Sequence, residues 1–384
     1  MRVLFLDVDA EYLNPTRSLV RGIASRLGKV VFFGPGYVSS EVLHKGLEEF
    51  TKRNGPFDVA LVTEHILFSG FKDFSEEKKV YQKNYQFSFP LDEVEESVRI
   101  LRSLRQLDLV KAGIFLQTDY YNLTERHMHA VANDVNFVIG SNQQLVHSIR
   151  DLPELKNEGF VKSNDNWHNF CLEYPERIIP LTHFVSGNEF SYTALFHRSS
   201  DWSVPGTPYF ARKKGRSVLE RSACSISRGR PLPIGPLLSR LGLSPYANDF
   251  FRTYLRETFR KEICDARYSF TCGSGLRYPL RKYFEIPALG SVLVCLPCNG
   301  FEELGFRDKV NAMICEPDQL PELGRWLNEN LDKAQEIADA GRRLIAERHT
   351  IEARACQLKT ALQSVLAGRW RGGVWCEGVI VPIS

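Results

Sequence analysis

A glycine-rich basic loop that leads into a charged helix carries the clearest chemistry in this chain. Its polar and small residues are Ser274, Gly275, Arg277, Lys282 and Glu285. Loops of this kind expose backbone N–H groups, and cationic side chains beside a helix N-terminus attract anions. Guanidinium groups bind phosphate bidentately, whereas lysine acts as a point charge. The pattern therefore predicts a phosphate-binding site.

The same stretch predicts how these residues are held. A short helix should start near Pro279, because a missing N–H costs least in the first turn, and should end near Gly290. The apolar run from Ser291 to Leu296 predicts a strand buried on both faces of a parallel sheet. A turn and a second helix start should follow, so that two helix N-termini face one sheet edge. The residues at this second start are Asn299, Gly300 and Phe301.

A further cation candidate stands earlier in the chain. The basic run Arg212, Lys213 and Lys214 lies in a stretch that also contains proline and glycine. Arg212 and Lys213 are our candidates for phosphate ligands from this run. A charge run on a solvated helix face is the equally weighted alternative for these residues.

An ordered set of residues in the last third of the chain resembles a known family. It is similar to the carboxyl-terminal domain of GT-B glycosyltransferases, which have two facing Rossmann-like domains, and most of all to the spore-maturation (CgeB-like) type of the group 1 transferases. The matching residues are Lys282, Phe284, Glu285, Ala288, Gly290, Gly341, Arg342, His349, Thr350 and Arg354.

The resemblance implies an α/β fold with an interdomain cleft and a nucleotide-sugar co-substrate, with no other cofactor and no bound metal. It implies that Glu285 holds the ribose hydroxyls of the donor, while loop amides and cations hold its diphosphate. One departure concerns stereochemistry. Many retaining members have an acidic residue eight positions before that glutamate, and this chain has Arg277 there.

Bulk composition and the alternation of elements agree with two domains. The chain has 384 residues and 43% hydrophobic content, which exceeds what one core usually supports. Short apolar strands alternate with helices, as in parallel sheets with crossover helices. We predict an acceptor-side domain over 1–190 and a nucleotide-sugar-binding domain over 191–366 that begins with a strand at 193–196. A tail over 367–384 should pack back on the first domain.

Candidate bases come from the ends of first-domain strands, where functional groups of parallel sheets gather. Asp9, His65 and Asp119 each follow an apolar strand closely, and a carboxylate or imidazole there can accept the acceptor's proton. The alternatives are a satisfied strand-end histidine for His65 and a helix N-cap for Asp119.

Two rival functions remain open at this stage. Asp7 and Asp9 after an apolar strand resemble the first motif of haloacid-dehalogenase-type phosphatases, in which the first Asp attacks phosphate. Against this, Ala10 and Glu11 replace the usual Gly-Thr. The other rival is a GT-B protein that binds sugar or assembles a coat without catalysis.

Charge and cysteine content limit the partners. A net charge of +3 is too balanced for a nucleic-acid-binding protein. No apolar run approaches the roughly 20 residues of a membrane span, so we expect a cytoplasmic protein with at most peripheral membrane contact.

The nine cysteines predict reduced thiols, including Cys295 and Cys298. We expect a glycan, lipid-linked or protein acceptor.

Overall fold

The computed structural model describes residues 1–9, 17–70, 91–115, 125–148, 161–206, 210–228 and 248–383. Two parallel sheets and one hairpin form within these ranges. The strands are β1 (Arg2–Leu6), β2 (Lys29–Phe33), β3 (Val59–Thr63), β4 (Val110–Phe115), β5 (Phe137–Gly140), β6 (Ile178–Pro180), β7 (Ser200–Ser203), β8 (Ala266–Thr271), β9 (Val292–Cys295), β10 (Met313–Ile314), β11 (Gly373–Cys376) and β12 (Val379–Pro382).

Helices connect these strands and cover both sheets. The described α-helices are α1 (Arg17–Ala24), α2 (Ser40–Asn54), α3 (Glu64–Leu67), α4 (Leu91–Gln106), α5 (Glu125–Asp134), α6 (Val161–Glu173), α7 (Phe210–Arg221), α8 (Asp249–Cys264), α9 (Lys282–Ala288), α10 (Leu320–Glu329), α11 (Leu331–Arg348) and α12 (Ile351–Leu366). Within the part of the chain that the structure describes, no helix has both the length and the apolar content needed to span a bilayer.

The first sheet has six parallel strands in the order β2-β1-β3-β4-β5-β6. Strand β3 is buried along its whole length, and β1 is buried after Arg2. Their aliphatic and aromatic residues fit a strand covered on both faces, where each large apolar side chain contributes roughly 1.5–3 kcal/mol by leaving water. The register pairs Leu4 with Val31 on one side and with Ala60 on the other.

The second sheet has four parallel strands in the order β10-β9-β8-β7. The predicted strand at 193–196 is wrong, because this segment passes into a 3-10 turn at Leu195–His197 and the strand follows at β7. Two arginines occupy the carbonyl groups that a neighbouring strand would use. Arg198 Nε donates to Thr193 O at 3.0 Å, and Arg267 Nε donates to Leu195 O at 3.2 Å.

The last helix and the hairpin lie against the first sheet's half of the molecule. Ile351 N donates to Val185 O at 2.9 Å, and Arg26, which follows α1, pairs with Glu352 at 2.8 Å. In the hairpin, Trp375 N donates to Gln144 Oε1 at 2.6 Å. One hydrophobic core therefore runs from the first sheet into α9 and α12, whereas a separate smaller core covers the other side of the second sheet.

Candidate functional site

The basic loop after β8 has the exposed tip that its composition predicts. Ser274 and Arg277 both adopt left-handed backbone conformations, with φ of 61° and 52°. Tyr278 N donates to Gly273 O at 2.6 Å and closes the loop at its base. Gly275 and Arg277 are exposed, and Ser274 is half-buried. Helix α9 begins at Lys282, so the predicted start at Pro279 is wrong and Pro279 lies in the loop.

Helix α9 carries a linked set of charges. Arg281 Nε lies 3.1 Å from Glu285 Oε1, and the same arginine also pairs with Glu189 of the segment between the two sheets. The Glu285 side chain is only 13% exposed. This pairing holds the Glu285 carboxylate in one position, which suits an acceptor of hydroxyl hydrogen bonds.

Two cations converge where the carboxyl end of β7 meets the start of α9. A Cβ on Gly206 would lie 2.3 Å from Lys282 Cε and 3.0 Å from Arg212 Nη1, so a larger residue would displace these side chains. The φ of +85° at Gly206 also favours glycine. Arg212 Nη1 donates to Pro205 O at 3.1 Å. The structure thus brings together Arg212 and Lys282, which are 70 residues apart in sequence.

The electrostatics of this pair favour an anion. Burial lowers the pKa of Lys282, Glu285 opposes that shift, and the cationic Arg212 adds to it. The Lys282 ammonium also lies 5.8 Å from the centre of the Phe259 ring. Since two positive charges are held together in a partly dry place, a bound anion would relieve their repulsion.

Glu262 of α8 is a half-buried carboxyl beside these cations that the sequence did not indicate. Burial raises its pKa to about 7, while Arg216 and Lys282 oppose the shift. A carboxyl group with a pKa near neutrality can accept or donate a proton at physiological pH. No motif marks this residue among the other charges of α8, and only packing of α8 on the second sheet sets it apart.

A cavity of about 900 Å³ lies between the two halves of the molecule, next to Glu285. Helix α1, the segment before β7, helix α8 and the start of α12 form its walls. The lining residues used below are Leu19, Arg26, Glu189, Arg252, Leu255, Arg256, Glu257, Phe259, Arg260, Arg281, Glu285, Leu289 and Ile351.

The predicted second helix start is wrong, because residues 300–305 form turns. The N–H groups of Asn299 and Phe301 are bonded within the chain, to Arg277 O at 2.6 Å and Cys298 O at 3.2 Å. The Asn299 amide donates to Leu145 O and to Leu276 O, which joins the two halves.

The other two residues of that turn also contribute to packing. A Cβ on Gly300 would lie 2.4 Å from Leu145 Cδ2. Phe301 is buried and stacks on Phe306 with ring centres 5.2 Å apart. These contacts give Asn299, Gly300 and Phe301 a part in holding the two halves together, and their predicted contact with the donor stays a prediction.

The candidate bases lie at the carboxyl edge of the first sheet or outside the described residues. Asp9 follows β1, and its carboxylate lies 3.7 Å from Arg21. His65 is buried in α3, with Nε2 3.9 Å from the Glu64 carboxylate. Asp119 lies outside the described residues. Because β1 and β3 are neighbours, Asp9 and His65 belong to the same sheet edge.

His183 follows the end of β6 in the first half of the molecule and faces the start of α9. Its ring lies edge-on to Tyr278, with ring centres 6.2 Å apart. Burial lowers the pKa of His183 to about 3, and Arg281 and Lys282 lower it further. The imidazole is therefore neutral, and it can form hydrogen bonds without carrying a charge.

The Asp7 carboxylate forms hydrogen bonds inside the first domain. It accepts hydrogen bonds from Thr63 Oγ1 at 2.5 Å and from the Tyr37 hydroxyl at 3.2 Å, and the residue is buried. These contacts tie β1 to β3 and to the loop after β2. Such a carboxylate is poorly placed to attack a phosphate, so the geometry does not support the phosphatase interpretation. Among the described residues, no three His, Cys, Asp or Glu side chains gather closely enough to hold a metal ion.

The second half of the family pattern forms a buried junction. The Arg354 guanidinium lies 4.4 Å from the centre of the Trp375 ring and donates to Gly378 O at 3.0 Å and to Gln357 Oε1 at 2.7 Å. It also contacts His349 Nδ1, while His349 Nε2 bonds Leu304 O at 2.9 Å. Burial lowers the pKa of Arg354 to about 9. This junction ties α12 to the hairpin.

Solved structures with low sequence identity share this architecture. A glycosyltransferase from Rickettsia africae matches with a TM-score of 0.52 at 10% identity, over 95% of this chain and 98% of that one. Sucrose-phosphate synthase from Thermosynechococcus elongatus matches with a TM-score of 0.51 at 10% identity, over 96% of this chain and all of that one. The chain has the GT-B fold.

The GT-B match extends to a third structure and to one family model. HepE from Anabaena, solved with UDP and glucose, matches with a TM-score of 0.50 at 11% identity over 95% of this chain and 100% of that one. Residues 249–360 match the family model described as glycosyl transferase-like. That range includes Glu262, Lys282, Glu285 and Arg354. No curated protein matches the chain. Together, the fold and the family model support a glycosyltransferase.

Proposed function

We propose that this protein transfers a sugar from a nucleotide-sugar donor to a hydroxyl acceptor in the cleft of its GT-B fold. The observation that carries the proposal is the convergence of Arg212 and Lys282 against Gly206, one helical turn from Glu285. Lys282 and Glu285 lie in the segment that matches the glycosyl transferase-like model. Within that class we propose the spore-maturation (CgeB-like) type, from the pattern around Glu285.

In this proposal the second domain binds the donor. The Glu285 carboxylate, held by Arg281, accepts hydrogen bonds from the ribose hydroxyls. Lys282 and Arg212 lie at the diphosphate, with Ser274 and the exposed Gly275 and Arg277 closing over it from the basic loop. Cations placed where negative charge develops on the leaving diphosphate stabilise the transition state. This arrangement supports transfer that needs no metal ion.

The first domain supplies the acceptor side. The acceptor is a glycan, a lipid-linked sugar or a protein hydroxyl. Its proton passes to a base at the carboxyl edge of the first sheet, for which Asp9, His65 and Asp119 are the candidates. Glu262, whose pKa is about 7, is an additional candidate from the second domain.

A nucleotide panel tests donor binding. The melting temperature of the protein is measured with UDP, GDP, CMP, dTDP and ADP, each with and without magnesium, since a ligand bound by the native state alone raises it. We expect one nucleotide to stabilise the protein without magnesium, and we would test UDP first because HepE was solved with UDP and glucose. Lys282→Gln should abolish the shift, whereas the exposed Lys333→Gln should keep it.

A turnover assay then separates transfer from binding alone. Release of the nucleotide from the matching nucleotide sugar is measured with and without an acceptor panel. Nucleotide release that is lost in Lys282→Gln supports the transferase. Tight binding with no release for any donor and acceptor would instead indicate a non-catalytic sugar-binding protein, and no nucleotide binding at all would overturn the proposal.

A further inference from the structure

Helix α8 presents a row of arginines to the interdomain cavity. Arg252, Arg256 and Arg260 are spaced four residues apart, which places their side chains on one face of the helix. All three line the cavity of about 900 Å³. Arg26, which follows α1, lines the same cavity from the first domain.

The carboxylates that line the cavity do not neutralise the charge of its arginines. Glu189 and Glu285 are both paired with Arg281 of α9. The remaining one, Glu257, lies 3.7 Å from Arg256. Among the residues that the structure describes, five arginines and three glutamates line the cavity, so this part of its lining is positive by two charges.

Arg26 and Arg252 form ion pairs with residues that do not line the cavity. Arg26 pairs with the exposed Glu352 and Arg252 with the exposed Asp249. Such surface ion pairs contribute little, and a ligand can replace them. Within the described part of the chain, no carboxylate lies within ion-pair distance of Arg260.

The rest of the cavity wall is apolar. Leu19, Leu255, Phe259, Leu289 and Ile351 contribute aliphatic and aromatic surface. A ligand that suits this space therefore has an anionic group for the arginines and a less polar body for the wall. Planar guanidinium groups bind phosphate oxygens bidentately, so phosphate is the anion that fits a row of them.

We propose that this cavity binds the acceptor and that the acceptor carries a phosphate group held by Arg256 and Arg260. The inference rests on the proposed transferase function. The donor diphosphate occupies a separate site, because Phe259 lies between the two: its ring lines the cavity and also lies 5.8 Å from Lys282 Nζ. Glu285 borders both sites, which places the acceptor next to the donor.

The test measures a second ligand in the presence of saturating nucleotide. Isothermal titration is run with glucose 6-phosphate and with geranyl phosphate, which separate a sugar phosphate from a lipid phosphate, and with glucose and geraniol as their uncharged counterparts. We expect one phosphate to bind and its uncharged counterpart to bind at least tenfold more weakly.

Variants locate the site. Arg256→Gln with Arg260→Gln should weaken the phosphate ligand at least tenfold and leave nucleotide affinity within twofold. A control pair on exposed helix positions, Arg325→Gln with Arg343→Gln, removes the same charge and should change neither affinity. If the double variant fails to fold, Arg260→Gln alone is used, with Arg325→Gln as its control.

Three results would overturn the inference, and they differ from one another. If neither phosphate binds to the nucleotide-loaded protein, the acceptor assignment is wrong while the transferase stands. If the Arg256 and Arg260 changes remove nucleotide binding, the row belongs to the donor site. If the unaltered protein binds no nucleotide at all, the proposed function fails first.

Discussion

Two regions of the second half share one family pattern but hold their charges in different ways. At the start of α9, Lys282 and Glu285 are partly buried, and Glu285 lines a cavity. At the junction of α12 with the hairpin, His349 and Arg354 are fully buried, and their polar atoms contact Leu304, Gln357 and Gly378. The first region has room for a ligand, whereas in the second the Arg354 Nη atoms and both His349 ring nitrogens are bonded to the protein.

The difference shows that a residue pattern by itself does not separate binding from architecture. Both regions combine cations with an acceptor at helical spacing, and both lie within or near the matched segment. Burial and the number of internal partners tell them apart. Changes in the junction should therefore alter stability, and changes at α9 should alter ligand binding.

The largest effect is expected for Arg354→Ala. The change removes a cation over Trp375 and leaves Gly378 O and His349 Nδ1 buried without their partner. We expect the free energy of unfolding to fall by about 3 kcal/mol, measured by urea denaturation. The exposed Arg343→Ala serves as the control. A loss below roughly 0.5 kcal/mol, as for a surface change, would break the contrast between the two regions.

The next effect concerns Glu285→Gln, which keeps the shape of the side chain but removes its charge. Hydrogen bonds to a charged group contribute about 1.5–3 kcal/mol, so nucleotide affinity should fall at least tenfold while unfolding changes by less than about 1 kcal/mol. Isothermal titration and urea denaturation check the two parts. The exposed Glu329→Gln is the matched control. Unchanged nucleotide affinity in Glu285→Gln would assign this carboxylate to structure.

A smaller effect is expected from the pH dependence of stability at Glu262. The pKa of this group is raised from 4.5 to about 7 in the folded protein. The unfolded chain releases its proton first as pH rises, so the contribution of Glu262 is present below about pH 4.5 and is lost as pH rises to about 7. Relative to Glu262→Gln, the unaltered protein should lose ~2 kcal/mol across this window.

Unfolding curves at several pH values measure this difference. The stability of Glu262→Gln minus that of the unaltered protein should grow from pH 4.5 to 7 and then level off. Glu329→Gln should show a flat difference over the same range. A flat difference for Glu262→Gln as well would place its carboxyl group in water and remove it from the candidate bases.

The smallest effect distinguishes two cations of the basic run in α7, Lys214 and Arg212. Lys214 is exposed and pairs with the exposed Asp318 at 2.5 Å, whereas Arg212 is buried beside Lys282. Exposed pairs contribute about 0.2–1 kcal/mol, so Lys214→Ala should cost less than about 1 kcal/mol in urea denaturation and should not change nucleotide affinity. A clear loss of nucleotide binding in Lys214→Ala would move the phosphate site toward the surface of α7.

Elements whose signals are local follow from the sequence. The strand predicted from Ser291 to Leu296 is observed as β9 in a parallel sheet. Apolar runs covered on both faces and amphipathic helices carry their structure in neighbouring residues. Such elements are predictable within a few residues.

The errors lie where distant groups decide the backbone. The segment at 193–196 has β-forming residues, but Arg198 and Arg267 take its carbonyl groups. Phe301 and the acidic residues after it look like a helix start, but the N–H of Asn299 is bonded to Arg277 O. In both places a partner from elsewhere in the chain outweighs local propensity.

The candidate site is predictable only in part for the same reason. The charged residues around Glu285 lie close together in the sequence, and the basic run at 212–214 predicts Arg212 as a phosphate ligand. Its position beside Lys282 depends on how α7 and α9 pack, and the raised pKa of Glu262 depends on burial. The arginine row of α8 is visible as a four-residue spacing, but only the structure shows that it faces a cavity.

A crystal structure of the protein with the nucleotide that stabilises it most would test the central claim directly. We predict a diphosphate within hydrogen-bond distance of Lys282 and Arg212, with the ribose hydroxyls donating to Glu285 and the cavity beside α8 left open for a second ligand. A nucleotide bound elsewhere, with Lys282 and Glu285 making no contact to it, would contradict the account.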